Sequence, residues 1–142
     1  MNNTESSFAA KLAADFPSLF HCDEKSGQRF DPPNGLWVPK GWEHLVYSLC
    51  AELDALAKEK QLTITLLGAK SKLGGLRFYT SCTEPCEIIG YLVQFAENLS
   101  HKICEETGNA GSICVRDGVF RTLGPEIADQ SGFRPLTPFF SV

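Results

Sequence analysis

The fold of this chain is decided by ten consecutive residues, Lys70-Ser71-Lys72-Leu73-Gly74-Gly75-Leu76-Arg77-Phe78-Tyr79. Apolar and polar residues alternate on both sides of the glycine pair: leucine and isoleucine alternate with threonine over 62–66, and the same period returns over 76–79. A period of two on each side of a turn predicts two antiparallel strands over about 62–80. Gly74 and Gly75 can both adopt positive φ without steric cost, as a tight connection between strands requires.

Two amphipathic helices flank this hairpin in the sequence. The first is predicted over 41–59 and the second over 84–106, where Thr83 is a suitable N-cap and Gly108 a suitable end. The first helix carries one apolar stripe, formed by Trp42, Leu45, Val46, Leu49, Leu53 and Leu56. The stripe of the second helix is formed by Ile88, Tyr91, Leu92, Phe95, Leu99 and Ile103.

The other segments are shorter or irregular. A short N-terminal helix is predicted over 5–16, and a long Pro-containing connector follows over 19–40. Residues 109–122 predict one or two short strands or an ordered loop, and a strand at about 112–121 would be the third strand of the hairpin's sheet. We therefore predict a single α+β domain over residues 1–130, with a small antiparallel sheet packed against the two main helices.

The last residues of the sequence, 131–142, differ from the rest. Two prolines exclude a helix there, yet the segment is too apolar for a solvated end, since it contains Phe133, Leu136, Phe139 and Phe140. We expect this extended C-terminal tail to pack against its own domain or against a second copy of the chain. Both a monomer and a homodimer are compatible with the sequence.

Composition narrows the class of protein. The chain has 142 residues, of which 43% are apolar and 21% charged, as in an ordinary soluble domain. No apolar run is long enough to span a membrane, and residues 1–6 do not begin a signal peptide, so we expect a cytoplasmic protein. The net charge of −4 argues against a broad phosphate-binding surface.

Residues suited to catalysis or metal binding are present but poorly arranged. Cys82 and Cys86 are separated by three residues, which is a poor spacing for zinc ligands, so we expect no metal and no cofactor. His44 and His101 lack a partner at local spacing and are interpreted as solvated residues on helix faces. His21-Cys22-Asp23 has the residue types of a thiol triad, but adjacent side chains point in different directions. The sequence therefore predicts a protein that is not an enzyme.

Some residues are candidates for contact with a partner. Lys70, Lys72 and Arg77 concentrate positive charge on an acidic chain, and they either bind an acidic protein face or phosphate, or keep a strand edge soluble. Trp37, in the Pro-containing connector, is either an interface anchor or part of the core, whereas Trp42 is expected in the core. The candidate partner-binding residues are Lys70, Lys72, Arg77, Trp37, Phe139 and Phe140.

Four segments together resemble a family of small uncharacterised proteins of tailed phages, prophages and bacteria. The most specific of them is Lys70–Tyr79, which is similar to a family segment Lys-x-Lys-(Phe/Leu)-Gly-Gly-Leu-Arg-Phe-Tyr. The others are Phe16-Pro17-Ser18-Leu19-Phe20, Gly41-Trp42 and Phe95-Ala96-Glu97-Asn98-Leu99-Ser100. The resemblance covers most of residues 15–128.

The chain departs from this family at the metal ligands that the resemblance implies. Typical members continue with Cys-Glu-x-Cys-Gly and Thr-Leu-Cys-x-x-His, which is similar to a zinc knuckle with four ligands. Here Cys104 is the only ligand that remains, and Thr107, Gly124 and Ile127 stand at the other three positions. One thiolate cannot hold zinc, so the resemblance implies a degenerate knuckle without metal.

The resemblance also implies a setting. It points to a phage or mobile-element protein that acts in the host cytoplasm and binds a host protein. We therefore expect a non-enzymatic protein–protein interaction protein that inhibits or modulates its host partner, for example a component of a defence system. The alternative is a nucleic-acid-binding accessory protein derived from the zinc-knuckle family.

Overall fold

A computed structural model of the chain describes residues 4–20 and 36–137. Its four helices and two small antiparallel sheets confirm the predicted α+β class. The helices are α1 (Thr4–Asp15), α2 (Glu43–Lys60), α3 (Glu87–Ser100) and α4 (Pro125–Ser131), with 3₁₀ turns at Pro17–Leu19 and Lys40–Trp42. The strands are β1 (Ile64–Lys72), β2 (Gly75–Cys82), β3 (Ser112–Arg116), β4 (Val119–Leu123) and β5 (Arg134–Pro135).

The predicted hairpin is formed by β1 and β2. Lys72 pairs with Gly75, so Leu73 and Gly74 form a two-residue turn with φ of 53° and 81°. Both values are positive, as in the turn type that matches the twist of a hairpin. Gly75 does not have positive φ, and our expectation for it was wrong: a Cβ there would lie 2.4 Å from His101 Cε1, so the position excludes a side chain because of packing.

Other segments cover part of each edge of this hairpin. On the β2 edge, the Leu76 N–H donates to Ser100 Oγ of α3 at 2.9 Å, and the Phe78 N–H donates to the Glu97 carboxylate at 3.0 Å. On the β1 edge, Leu36 bridges Ala69 in parallel, and the Trp37 N–H donates to the Ala69 carbonyl at 2.8 Å. Residues of α3 and of the connector thereby satisfy backbone groups that an open edge would expose.

The apolar stripe of α2 forms the centre of the main core. Trp42, Val46, Cys50 and Leu53 are fully buried, as predicted for a stripe that faces the sheet. The Trp42 indole N–H donates to the Ile103 carbonyl at 2.9 Å, so the polar atom of this buried ring has a partner. Burial raises the pKa of the Cys50 thiol to about 12, which is consistent with an inert core residue.

The second main helix differs from its prediction. It begins at Glu87 and not near 84, its N-cap is Cys86 and not Thr83, and it ends at Ser100 and not near 106. Residues 102–104 leave the helix because they pair with 109–111, through bonds such as the 2.7 Å bond from the Cys104 N–H to the Asn109 carbonyl.

The buried face of α3 also differs. Three members of the predicted stripe are largely exposed, namely Ile88 (42%), Tyr91 (67%) and Phe95 (65%). The helix instead buries Ile89, Ala96 and Ser100, whose small members allow the close approach to β2 that the Ser100 bond requires. An apolar face of α3 is therefore left exposed.

The predicted third strand does not join the hairpin. Residues 112–123 form a second hairpin, in which β3 pairs with β4 across Asp117 and Gly118, both with positive φ. The second sheet has the order β4-β3-β5. The two sheets meet at the turn of the first hairpin, where the Thr122 hydroxyl donates to the Gly74 carbonyl at 2.6 Å.

The first part of the C-terminal tail packs with the second sheet. Phe133 is buried in a second core cluster, together with Cys104, Cys114, Leu123 and Ala128. Beyond β5, the Leu136 N–H donates to the Ile113 carbonyl at 2.9 Å. Phe139 and Phe140 lie outside the described residues, as does His21. Within residues 4–20 and 36–137, no helix combines the length and apolar character needed to cross a bilayer.

Two glycine substitutions should change stability in opposite directions. A Cβ at Gly41 would lie 2.1 Å from the Cys104 carbonyl oxygen and 2.6 Å from the Glu105 carbonyl carbon, both of which are backbone atoms. We expect Gly41→Ala to lower the free energy of unfolding by about 2–3 kcal/mol, because the two segments must separate. Gly90 lies within α3 with open space around it, so Gly90→Ala should raise the free energy of unfolding by up to about 1 kcal/mol. Urea denaturation of both variants is the measurement, and equal effects would contradict the close contact at Gly41.

Candidate functional site: the hairpin face and the adjoining cleft

The register of the hairpin separates its side chains into two faces. The pair Ala69 and Phe78 is buried in the core. The next pair, Lys70 and Arg77, therefore points to the opposite face. The same alternation places Lys72 and Tyr79 on this face, so the basic residues singled out in the sequence lie together.

A β-bulge adds an apolar residue to the rim of this face. The register shifts between Leu66 and Gly68, which leaves Leu67 without a partner on β2, and its side chain is 55% exposed. Bulges redirect side chains and are frequent beside binding sites. The consecutive leucines at 66 and 67, where a strict alternation would have a polar residue, are the sequence signal for this irregularity.

Trp37 extends the face on the other side. Leu36, its neighbour, is buried against the β1 edge, whereas the Trp37 side chain is 50% exposed. By the alternation of an extended segment, Trp37 belongs to the same side as the basic residues. We call this surface the hairpin face and define it by Trp37, Leu67, Lys70, Lys72, Arg77 and Tyr79.

The charges of the hairpin face have one sign. The sequence from Ile64 to Cys82 contains no acidic residue, although the chain carries a net charge of −4. Lys70 and Arg77 lie directly opposite each other, an arrangement of like charges that costs stability. Lys70 Nζ lies 6.0 Å from the centroid of the Tyr79 ring, whose face attracts the cation. A negatively charged partner would stabilise both cations.

A cleft of about 600 Å³ adjoins the hairpin face, between β2 and α3. Arg77, Tyr79 and Leu67 belong to both surfaces, since they also line the cleft. On the α3 side the cleft is lined by residues spaced along one helix face, among them Gly90, Val93, Gln94, Glu97 and His101. The cleft therefore joins a cationic rim to a wall with both apolar and polar groups.

His101 lines this cleft, and our interpretation of it as a solvated residue was wrong. Its ring packs against Gly75, and its Nδ1 is buried without a hydrogen-bond partner among the described residues. Burial and the nearby charge of Arg77 lower the pKa of His101, so the imidazole is neutral at pH 7. His44, by contrast, is exposed on α2, as expected.

The positions that the resemblance assigns to a zinc knuckle lie close to one another. The Thr107 hydroxyl and the backbone N–H groups of Gly124, Thr107 and Glu106 donate to the buried Cys104 sulfur; burial raises the pKa of this thiol, but these donors together hold it below its usual value. Ile127 packs against the same core cluster as Cys104. Threonine, glycine and isoleucine do not fit a zinc ion, and the described residues contain no group of three or more histidine, cysteine or acidic side chains that could hold a metal.

Sequence reasoning found part of this site. It identified the three cations and Trp37, and the structure brings these four onto one face. It missed Leu67, Tyr79 and His101, although Tyr79 carries a signal, since it is an aromatic residue at a polar position of an alternating strand.

Comparisons with family models, with curated proteins and with solved structures find no match to this chain.

We expect folding to be independent of metal. The second core cluster contains Cys104 and Ile127 but supplies apolar packing, so no ion is needed to hold the segment together. Elemental analysis of the purified protein should find no stoichiometric zinc, and a chelator should leave the melting temperature unchanged. A chelator-induced loss of structure would contradict this prediction.

Proposed function

We propose that this chain is a non-enzymatic protein–protein interaction protein of phage or mobile-element type, which inhibits or modulates a host protein. It binds an acidic surface of that protein through the hairpin face. The observation that carries the proposal is the composition of this face, which has three cations, two exposed aromatic side chains and no acid on a chain of net charge −4.

Two contributions would stabilise such a complex. Trp37 and Tyr79 are 50% and 44% exposed, and burying such rings in an interface supplies much of the affinity of typical complexes. Lys70, Lys72 and Arg77 attract an acidic surface and orient it during encounter. Because Lys70 and Arg77 repel each other in the unbound protein, an acidic partner gains additional stabilisation there.

A separate observation supports the proposed phage origin and host partner. The similarity of Lys70–Tyr79 and its companion segments to phage and prophage proteins favours a host protein, such as a defence component, as the partner. It also favours the host cytoplasm as the place of action. The identity of the partner does not affect the evidence for binding at the hairpin face.

A second candidate function is binding of single-stranded nucleic acid. The observation that favours it is the presence of two aromatic rings and three cations on one sheet face, since bases stack on such rings while cations contact phosphates. The acidic net charge makes it the weaker candidate. Retention of single-stranded DNA or RNA that falls with salt, with a log–log slope of about −0.7 for each phosphate neutralised, would favour it over the first function.

Reversal of two charges tests the first function. In Lys70→Glu/Lys72→Glu, the hairpin face becomes mostly negative, and both side chains are exposed, so thermal unfolding should change little. We expect the affinity for a host protein captured from lysate to fall by about tenfold or more, which corresponds to about 1.4 kcal/mol. Isothermal titration with the captured partner is the measurement.

The matched control carries the same change of net charge elsewhere. Lys11 in α1 and Lys60 at the end of α2 are exposed, and neither belongs to the residues that define the hairpin face. Lys11→Glu/Lys60→Glu should bind the partner as the wild type does. If both double variants bind equally well, or lose affinity equally, the hairpin face is not the binding surface.

A further inference from the structure

We infer that the partner contributes an extended, acidic peptide segment that adds as a strand to the edge of β2, in the cleft between β2 and α3. This inference rests on the proposed function, because it specifies what the partner presents. It is carried by three observations: backbone groups at the edge, the space beside them and the charge at one end of the cleft.

The first observation concerns hydrogen bonds along the β2 edge. The N–H groups of Leu76 and Phe78 point away from β1, and Ser100 and Glu97 accept their bonds. By the alternation of a strand, the N–H and carbonyl of Thr80 point in the same direction. Among the described residues, no side chain or backbone group is seen to bond to them. The edge therefore offers a donor and an acceptor to another extended chain.

The second observation is the space between α3 and β2. The short Ser100 side chain spans the gap at Leu76, and the longer Glu97 side chain spans it at Phe78. Thr80 and Gly90 both line the cleft, and an added Cβ at Gly90 would meet nothing within 4 Å. The volume of about 600 Å³ lies within the range of sites that hold a small ligand or a short peptide.

The third observation is the chemistry of the cleft walls. Arg77 is the only cation that lines the cleft, and Glu97 already accepts the Phe78 N–H. A carboxylate on the incoming strand would therefore pair with Arg77. Leu67 and Val93 form apolar wall further along. Since alternate residues of a strand share one face, we expect an acidic residue followed at a spacing of two by an apolar one.

The probe is a ribosome-displayed library of random nonapeptides, selected on the full chain. We expect enriched peptides to combine β-branched residues with an acidic residue in that spacing. One enriched peptide is then synthesised with a fluorophore, and its dissociation constant is measured by fluorescence anisotropy for the wild type and for three variants.

Two of the variants each remove one feature that strand addition needs, and the third leaves the cleft unchanged. Gly90→Phe places a ring in the open space at the cleft wall, and Thr80→Pro removes the edge N–H without affecting the bonds to β1. Both should weaken binding by about tenfold or more, as loss of a buried contact does. Ile88→Phe places the same ring on the exposed side of α3, outside the cleft, and should bind as the wild type does. Circular dichroism checks that each variant is folded. If Thr80→Pro does not fold, the affinity of Gly90→Phe alone tests the inference.

Two outcomes would overturn the inference: no enriched peptide, or enriched peptides that bind Gly90→Phe as tightly as the wild type. The variants also separate this inference from the proposed function. If Lys70→Glu/Lys72→Glu loses the captured host protein while Gly90→Phe retains it, the hairpin face stands and strand addition is wrong. If both retain it, the proposed function is wrong as well.

Discussion

The burial of the first hairpin's turn is the constraint on which the other parts of this structure depend. Gly74 and Gly75 are both buried, whereas tight turns usually lie in solvent. The Gly74 carbonyl accepts a 2.6 Å bond from the Thr122 hydroxyl, and the ring of His101 packs where a side chain of Gly75 would lie. The turn thus fastens the first sheet to the second sheet and to the end of α3. A Cβ at Gly75 would lie 2.4 Å from the His101 ring and one at Gly74 would lie 3.3 Å from the Arg121 backbone nitrogen, so a larger residue at either position would force its neighbours to shift.

The open cleft follows from how α3 is held to this hairpin. Two polar side chains, Ser100 and Glu97, connect the helix to the β2 edge near the turn. Among the described residues, no α3 side chain is seen to bond to Thr80, which lines the cleft between β2 and α3. Trp37, Leu67 and Tyr79 of the hairpin face are largely exposed, whereas Ala69, Leu76 and Phe78 of the other face are buried in the main core.

The second sheet is joined to the loop before it by a partly buried ion pair. Glu105 is 7% exposed, and its carboxylate accepts a 2.7 Å bond from Arg121 Nε, which lies on β4. The Glu105 carbonyl also accepts the Gly41 N–H at 2.7 Å, so this loop connects the second sheet to the start of α2. A buried carboxylate needs such partners, since leaving one unpaired would cost several kcal/mol. Phe133 and the other residues of the second core cluster add apolar packing beside this sheet.

Local patterning accounts for the elements whose periodicity is unbroken. The alternation around Lys70–Tyr79 predicts the hairpin, and the stripe of α2 predicts Trp42 and Leu53 in the core. Each of these patterns arises because one face of the element packs against a single neighbouring surface. The apolar face of α3 could not be predicted in this way, since its helix has more apolar residues than its neighbours cover. The pairing of 112–123 with itself, the position of His101 and the cleft beside Gly90 depend on contacts between segments distant in the chain. Such contacts leave no period in the sequence, so long-range packing decides them.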